Sequence, residues 1–226
     1  MSEIKHPAHI EQERNVIAEA QHFWGKYSRP ILYTLSAFIL IVGGFLGYKY
    51  YIQEPNEKRA NEALYHAEEY FRMDSIRTAL NGDNINAGFV KIISKYSGTR
   101  AANLASFYAG SCYLKLGDYN NAVKYLKDFS TSALQVQARA YGLLGDAYSE
   151  LKKNDEAIDA YKKAGTVFEK DDLISPEYLF RAGYLYESIG KNQQAIEMYQ
   201  AVKDKYPASQ RGAEIDKYLA RLGITK

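Results

Sequence analysis

Residues 144–161 read LGDAYSELKKNDEAIDAY, and two other stretches of the chain repeat that cast: AGSCYLKLGDYNNAVKYL at 109–126 and AGYLYESIGKNQQAIEMY at 182–199. Laid over one another, the three stretches align Gly110, Gly145 and Gly183, then Tyr113, Tyr148 and Tyr186, then Ala122, Ala157 and Ala195. Gly110 to Gly145 is 35 positions and so is Ala122 to Ala157; Gly145 to Gly183 is 38 and so is Ala157 to Ala195. Landmarks that shift together mark an internal repeat. The Gly and the Tyr three positions on share one face of a first helix, and a small residue there lets a second helix cross closely. Gly117-Asp118, Lys153-Asn154 and Gly190-Lys191 mark the turns between the helices, where a positive φ is called for. Pro207 ends the last second helix.

A period near ~34 residues with this alternation of small and aromatic positions resembles the tetratricopeptide repeat, a helix–turn–helix unit. The resemblance implies an all-α solenoid of about four helix pairs that binds proteins and carries no chemistry. The first copy departs from the pattern late, with Phe129 and Leu134 where a small residue and Pro are usual. A degenerate pair precedes it. Ala87, Gly88, Ile92 and Tyr96 place a second helix over 84–96; its first helix falls in 57–80, with Ala60, Leu64, Ala67 and Phe71 on one stripe. Asn81-Gly82-Asp83 reads as the turn between them. Residues 165–175 hold the three extra positions of the longer spacing as a loop. Ala213, Tyr218, Leu219 and Leu222 form an apolar stripe on a helix starting near Ser209, the cap that a solenoid needs over its last face.

The N-terminal part is of another kind. Ile31 to Tyr48, ILYTLSAFILIVGGFLGY, contains no charge. At about 1.5 Å per residue it spans about 27 Å, enough for one membrane crossing. Trp24 and Tyr27 before it, and Tyr48, Tyr50 and Tyr51 after it, sit like interfacial aromatic belts. Lys49-Tyr50-Tyr51 offers no small-residue cleavage site and no lipid-attachment Cys follows, so the segment is expected to stay as an anchor. Basic residues flank both sides equally, with Lys26 and Arg29 favouring a cytoplasmic N-terminus. Residues 10–28, with Ile10, Ile17, Ala20, Phe23, Trp24 and Tyr27 on one face, fit either a surface-lying amphipathic helix or a partly ordered polar tail. Gly43, Gly44 and Gly47 give the apolar helix a small-residue surface, and the Gly43/Gly47 pair permits close helix contact.

Composition excludes much. Residues 1–52 hold five of the 29 basic and four of the 27 acidic residues, leaving the rest at a net +1 with no basic footprint for nucleic acid. Cys112 is the sole cysteine, so no intramolecular disulfide exists, and it reads as a structural thiol. His6, His9, His22 and His66 lack metal-ligand spacing. Asn81-Gly82-Asp83-Asn84 lacks the alternating ligands and closing Glu of a calcium loop. There is no phosphate-cradling loop and no nucleophile elbow. The expectation is no catalytic residues, no cofactor and no metal: not an enzyme.

In tetratricopeptide domains the first helices line the concave face. Mapped here, the inward set is Phe107, Ser111 and Leu114, then Gly142, Asp146, Ser149 and Glu150, then Phe180, Tyr184 and Glu187: an aromatic, mildly acidic groove. The positions that clamp a chaperone's C-terminal carboxylate in one subfamily hold Phe107, Ser111, Leu143, Glu177 and Arg181. Only Arg181 fits, so that clamp is rejected. Phe107, Phe180 and Tyr184 suit an apolar or extended peptide, or a partner helix; packing between neighbouring pairs is the other reading of the same aromatics.

The order of short tail, anchor and about four repeats is similar to the YfgM-like family of bacterial inner-membrane proteins, with Gly88-Phe89-Val90-Lys91-Ile92-Ile93 and Ala101-Ala102-Asn103-Leu104-Ala105 looking like the Bacteroidota version. That resemblance implies a cytoplasmic segment at 1–29, a transmembrane anchor at 30–52 and a periplasmic repeat domain at 53–226. It also implies an ancillary subunit of the Sec translocon, working with a membrane-anchored periplasmic prolyl-isomerase-like chaperone on exported proteins. The alternative is a cell-envelope assembly scaffold unrelated to the translocon.

Overall fold

The computed structural model describes residues 7–225, with side chains for residue 16 and for 18–225. The His6 and His9 side chains and the Ile10 and Ile17 part of the amphipathic pattern lie outside the described residues. The chain divides into two units, Met1–Pro55 and Asn56–Lys226.

The first unit is helix α1 (Pro7–Tyr48) followed by a π-helical turn (Lys49–Gln53). Its Ile31–Tyr48 side chains are exposed, so the stretch is not the core helix of a globule. It is long and apolar enough to cross a membrane. The Thr and Ser hydroxyls inside the stretch are tied back to the helix: Thr34 donates to the carbonyls of Pro30 and Ile31, and Ser36 to that of Leu32. Back-bonding of this kind satisfies the donors of these two side chains within the helix.

The second unit is built of helix pairs. The first joins α2 (Glu54–Arg72) to a second helix split into α3 (Ile76–Asn81) and α4 (Phe89–Lys95). Then come α5 (Arg100–Lys115) with α6 (Tyr119–Asp128), α7 (Leu134–Glu150) with α8 (Asn154–Thr166), and α9 (Ile174–Ser188) with α10 (Asn192–Lys205). Helix α11 (Gln210–Arg221) closes the series against α10 and α9. The described residues hold no strand; Gly82 and Ala87 form an isolated bridge.

Four turns within the pairs share one geometry. Asp74, Gly117, Lys152 and Gly190 each take a positive φ. The next residue in each case donates its N–H to the carbonyl of Tyr70, Tyr113, Tyr148 or Tyr186. This is the Schellman closure of a helix C-terminus, which satisfies a carbonyl left without an intrahelical partner. Two expectations change here. The left-handed residue of the third pair is Lys152, one position before the expected Lys153-Asn154. The turn of the first pair is Met73-Asp74-Ser75, not Asn81-Gly82-Asp83. The Asn-Gly-Asp segment is a turn, but one that interrupts the second helix. Asp83 accepts the N–H groups of Ile85 and Asn86 and the Tyr70 hydroxyl, and so holds a compact loop at 82–88.

The aligned glycines seat side chains rather than a bare backbone crossing. A Cβ on Gly145 would lie 2.5 Å from the Tyr161 ring, one on Gly183 2.7 Å from the Tyr199 ring, and one on Gly110 2.5 Å from Leu126. In every copy the large residue comes 16 positions after the glycine, on the partner helix. The cap follows the expected start: Ser209 accepts the N–H of Gly212. Its buried residues are Ile215 and Leu219, with Tyr218 and Leu222 packed beside them, whereas Ala213 faces out.

Candidate functional site

Helices α5, α7 and α9 carry the expected inward positions, and they divide into two groups. Phe107, Leu114 and Leu143 pack together around buried Ala122, Leu126 and Ala147. Asp146 and Arg181 belong to one ionic network and Glu187 to a separate ion pair with Arg221. Ser111 is buried, with its hydroxyl on the Phe107 carbonyl. Ser149 is half-buried and Glu150 exposed.

Phe180 is 7% exposed and Tyr184, four residues on, 54%. Phe180 stacks on Tyr199 and meets the edge of Tyr218 at 4.7 Å, and the Arg211 guanidinium lies 4.0 Å above its ring. It is therefore an anchor for the cap, not an exposed interface aromatic. The reason is the cap itself: α11 covers the last helix pair, whereas the equivalent Phe107 remains half-exposed on an inner pair. Tyr184 is the exposed aromatic of this helix.

The charges are mutually satisfied. Arg181 donates to Asp146 and to Glu177, each at 2.8 Å, and Arg211 from the cap reaches Glu177 at 2.6 Å. Tyr161 donates its hydroxyl to Asp146, and Tyr199 donates to Glu187, which also pairs with Arg221. Burial alone would raise the Glu177 carboxyl; hydrogen bonds and charge from Arg211 and Arg181 outweigh it and hold the group below the usual carboxylate range. Burial, with the charge of Asp146, pushes the Tyr161 phenol up, so it stays a donor. Arg181 is thus a structural tie between α7 and α9, with its fork already filled.

The open recess lies beside this network. A cavity of 350 Å³ is lined by Phe107, Arg139, Leu143, Leu173, Ile174, Glu177 and Tyr178. It unites three residues singled out from sequence, Phe107, Leu143 and Glu177, with four that were not. Tyr178 seats its ring tip on Gly142, stacks against Tyr161 and lies under Arg181. Leu173 and Ile174 come from the segment with the three extra positions, where α8 runs on to Thr166 and Asp171 caps the start of α9 through the N–H groups of Leu173 and Ile174. The longer spacing was the available signal for these residues; a repeat template has no position for them.

Among the described residues no group of three or more His, Cys, Asp or Glu is placed to hold a metal. Cys112 is fully buried, and burial pushes its thiol up to about 12. A thiol in that state is a packing group rather than a nucleophile. In the apolar helix, Gly43, Gly44 and Gly47 have nothing within 4 Å of the place a Cβ would take.

The fold and groove define a helix-pair repeat domain, and comparison with known families agrees. The tetratricopeptide repeat-like domain family matches residues 21–138, and tetratricopeptide repeats match residues 138–166 and 177–209. The chain belongs to the tetratricopeptide repeat-like domain family. No curated protein sequence matches it. Solved structures of similar fold include MamA 41-end from Desulfovibrio magneticus RS-1, at 20% identity and TM-score 0.53, covering 67% of this chain and 77% of that one. The MamA RS-1 ArsTM double mutant is similar at 19% identity and TM-score 0.52, with 70% and 76% covered. A further MamA crystal structure matches at 20% identity and TM-score 0.52, with 70% and 86% covered. At such identity the likeness is one of fold. Tetratricopeptide domains bind proteins and are not catalytic folds.

Proposed function

We propose that this protein is a membrane-anchored adaptor of the bacterial inner membrane, with residues 1–29 cytoplasmic, the anchor at 30–52 and the repeat domain from 53 onward in the periplasm. It acts as an ancillary subunit of the Sec translocon, together with a membrane-anchored periplasmic prolyl-isomerase-like chaperone, on exported proteins. It performs no catalysis. The observation that carries this reading is the extent of the family match: residues 21–138 take in the apolar helix and the first helix pairs as one domain. An anchor that is part of the family's domain points to work done at the membrane. The YfgM-like order of elements supplies the translocon. The concave groove, from Phe107 and Leu114 through Asp146, Ser149 and Glu150 to Tyr184 and Glu187, is the proposed protein-binding face. Gly43, Gly44 and Gly47 form a second contact surface within the membrane.

The test is copurification of the full chain from gently solubilised membranes. Translocon subunits and the chaperone should come with it. Recovery of outer-membrane or division proteins in their place would move the protein to the envelope-assembly scaffolds. Gly43→Leu with Gly47→Leu separates the two surfaces: loss of translocon alone would assign that contact to the apolar helix.

A further inference from the structure

The 350 Å³ recess has a feature that the rest of the groove lacks. Its walls are Phe107, Leu143, Ile174, Leu173 and the Tyr178 ring, and its carboxylate, Glu177, is taken up by Arg181 and Arg211. Arg139 lines the same recess, one helical turn before Leu143 on α7, and has no acidic partner among the described residues. Each of the other three arginines around this face, Arg181, Arg211 and Arg221, is paired. Leu173 stands 82% exposed at the rim, on a backbone fixed by the Asp171 carboxylate. Leu173 also lines a second cavity of 530 Å³, together with Gln135, Phe168, Asp171 and Ser209 among others, so two recesses flank this exposed side chain.

Resting on the adaptor reading above, we infer that this recess recognises an extended segment of its partner in which an apolar side chain enters between Phe107, Leu143 and Tyr178 while an internal Asp or Glu pairs with Arg139. In an extended chain, residues two apart point the same way, which sets the apolar and acidic residues at next-but-one positions. The second recess on the other side of Leu173 gives room for the segment to continue past the acidic residue, which favours an internal carboxylate over a chain terminus. The site differs from the carboxylate clamp of other tetratricopeptide domains: its cation is Arg139, and Arg181 is spent on Asp146 and Glu177.

The experiment uses the full chain in detergent micelles and short fluorescent peptides of polar background carrying Leu-x-Glu. Companion peptides carry Leu-x-Gln, Ser-x-Glu, Leu-x-Lys, or a C-terminal Leu as free acid or amide. The Leu-x-Glu peptide should bind, and its Gln version should bind roughly tenfold more weakly, as expected for a charge-assisted contact. Arg139→Glu, an exposed change read alongside unaltered helicity and melting, should reverse the preference towards Leu-x-Lys. Leu173→Ser should weaken every Leu peptide without changing the Glu-to-Gln ratio. Equal binding of the Glu and Gln peptides, an unchanged ratio in Arg139→Glu, or binding by the free C-terminal acid alone would each overturn the inference. So would no binding by any peptide. Continued copurification with the translocon in those cases would leave the adaptor reading standing and relocate its contact.

Discussion

At the residue scale, the repeat is held by a glycine on one helix and a large side chain on its partner. Gly145 and Gly183 sit under Tyr161 and Tyr199, both buried, and the hydroxyls of those rings end on Asp146 and Glu187. The glycine is the space that the ring occupies, which explains its presence in mid-helix, where Gly costs about 1 kcal/mol relative to Ala. Gly145→Leu or Gly183→Leu should lower stability by roughly 1–3 kcal/mol or more through overpacking, read from urea unfolding of the full chain. Unchanged unfolding would mean that the ring does not sit there. Glu177 yields a pH dependence. Its carboxyl is held below the unfolded value, so its contribution is complete above about pH 4.3 and disappears as pH falls through the lower, folded value. Stability should therefore drop as the pH is lowered below about 4.3, and Glu177→Gln should flatten part of that drop. A Gln variant with the same acid profile as the parent would assign the loss to other carboxylates.

At the element scale, the turns decide where helices stop. The same left-handed closure is made by glycine at 117 and 190 but by Asp74 and Lys152 elsewhere. A side chain in that conformation costs roughly 1–2 kcal/mol. Lys152→Gly should raise stability by up to about 1 kcal/mol, since the gain is partly offset by a freer unfolded chain, while Gly117→Ala should lower it by a similar amount. Thermal melts of the two variants, shifting in opposite directions, check both. Helix ends are also tied between pairs. The Glu57 carboxylate on α2 accepts the N–H groups of Arg100 and Ala101 at the start of α5. An acidic group at a helix N-terminus is favourable in itself, and here it also joins helices that are far apart in sequence.

At the scale of the whole molecule, the proposed anchor poses the question of which side of a membrane the repeat domain occupies. The nearby Lys26 and Arg29, just before the apolar stretch, favour an exported domain. A reporter active only outside the cytoplasm, fused after Lys226, should be active, and a cytoplasmic one silent; the reverse result would invert the topology. The groove prediction also belongs here. Tyr184→Ala should weaken partner capture with the fold intact, by more than about fivefold if this aromatic is a true anchor. Phe180→Ala should lower stability first, because its ring holds α11 to α9. Partner capture unaffected by Tyr184→Ala would shift the contact to the Arg139 recess or the apolar helix.

What the sequence determined by itself was periodic. Matching spacings of Gly, Tyr and Ala settle three helix pairs, and apolar stripes add the first pair and the cap, because a solenoid places each residue by local geometry and contact with the neighbouring pair. The uncharged run Ile31–Tyr48 is equally plain, since a length and an absence of charge need no partner to be read. Tertiary structure decided what depends on residues far apart in the chain. Whether Phe180 is an exposed anchor or a packed one depends on where α11 lies, and Phe107, at the same repeat position, has no such cover. Whether Arg181 is a free cation depends on Asp146, 35 positions away. The Asn-Gly-Asp turn is legible locally, but its place inside a second helix is set by Asp74 and by the Tyr70 hydroxyl that reaches Asp83. Arg139 and Leu173 carry no pattern of their own. They meet only because three extra positions before α9 bring a rim residue beside α7, and a repeat template has no slot for an insertion.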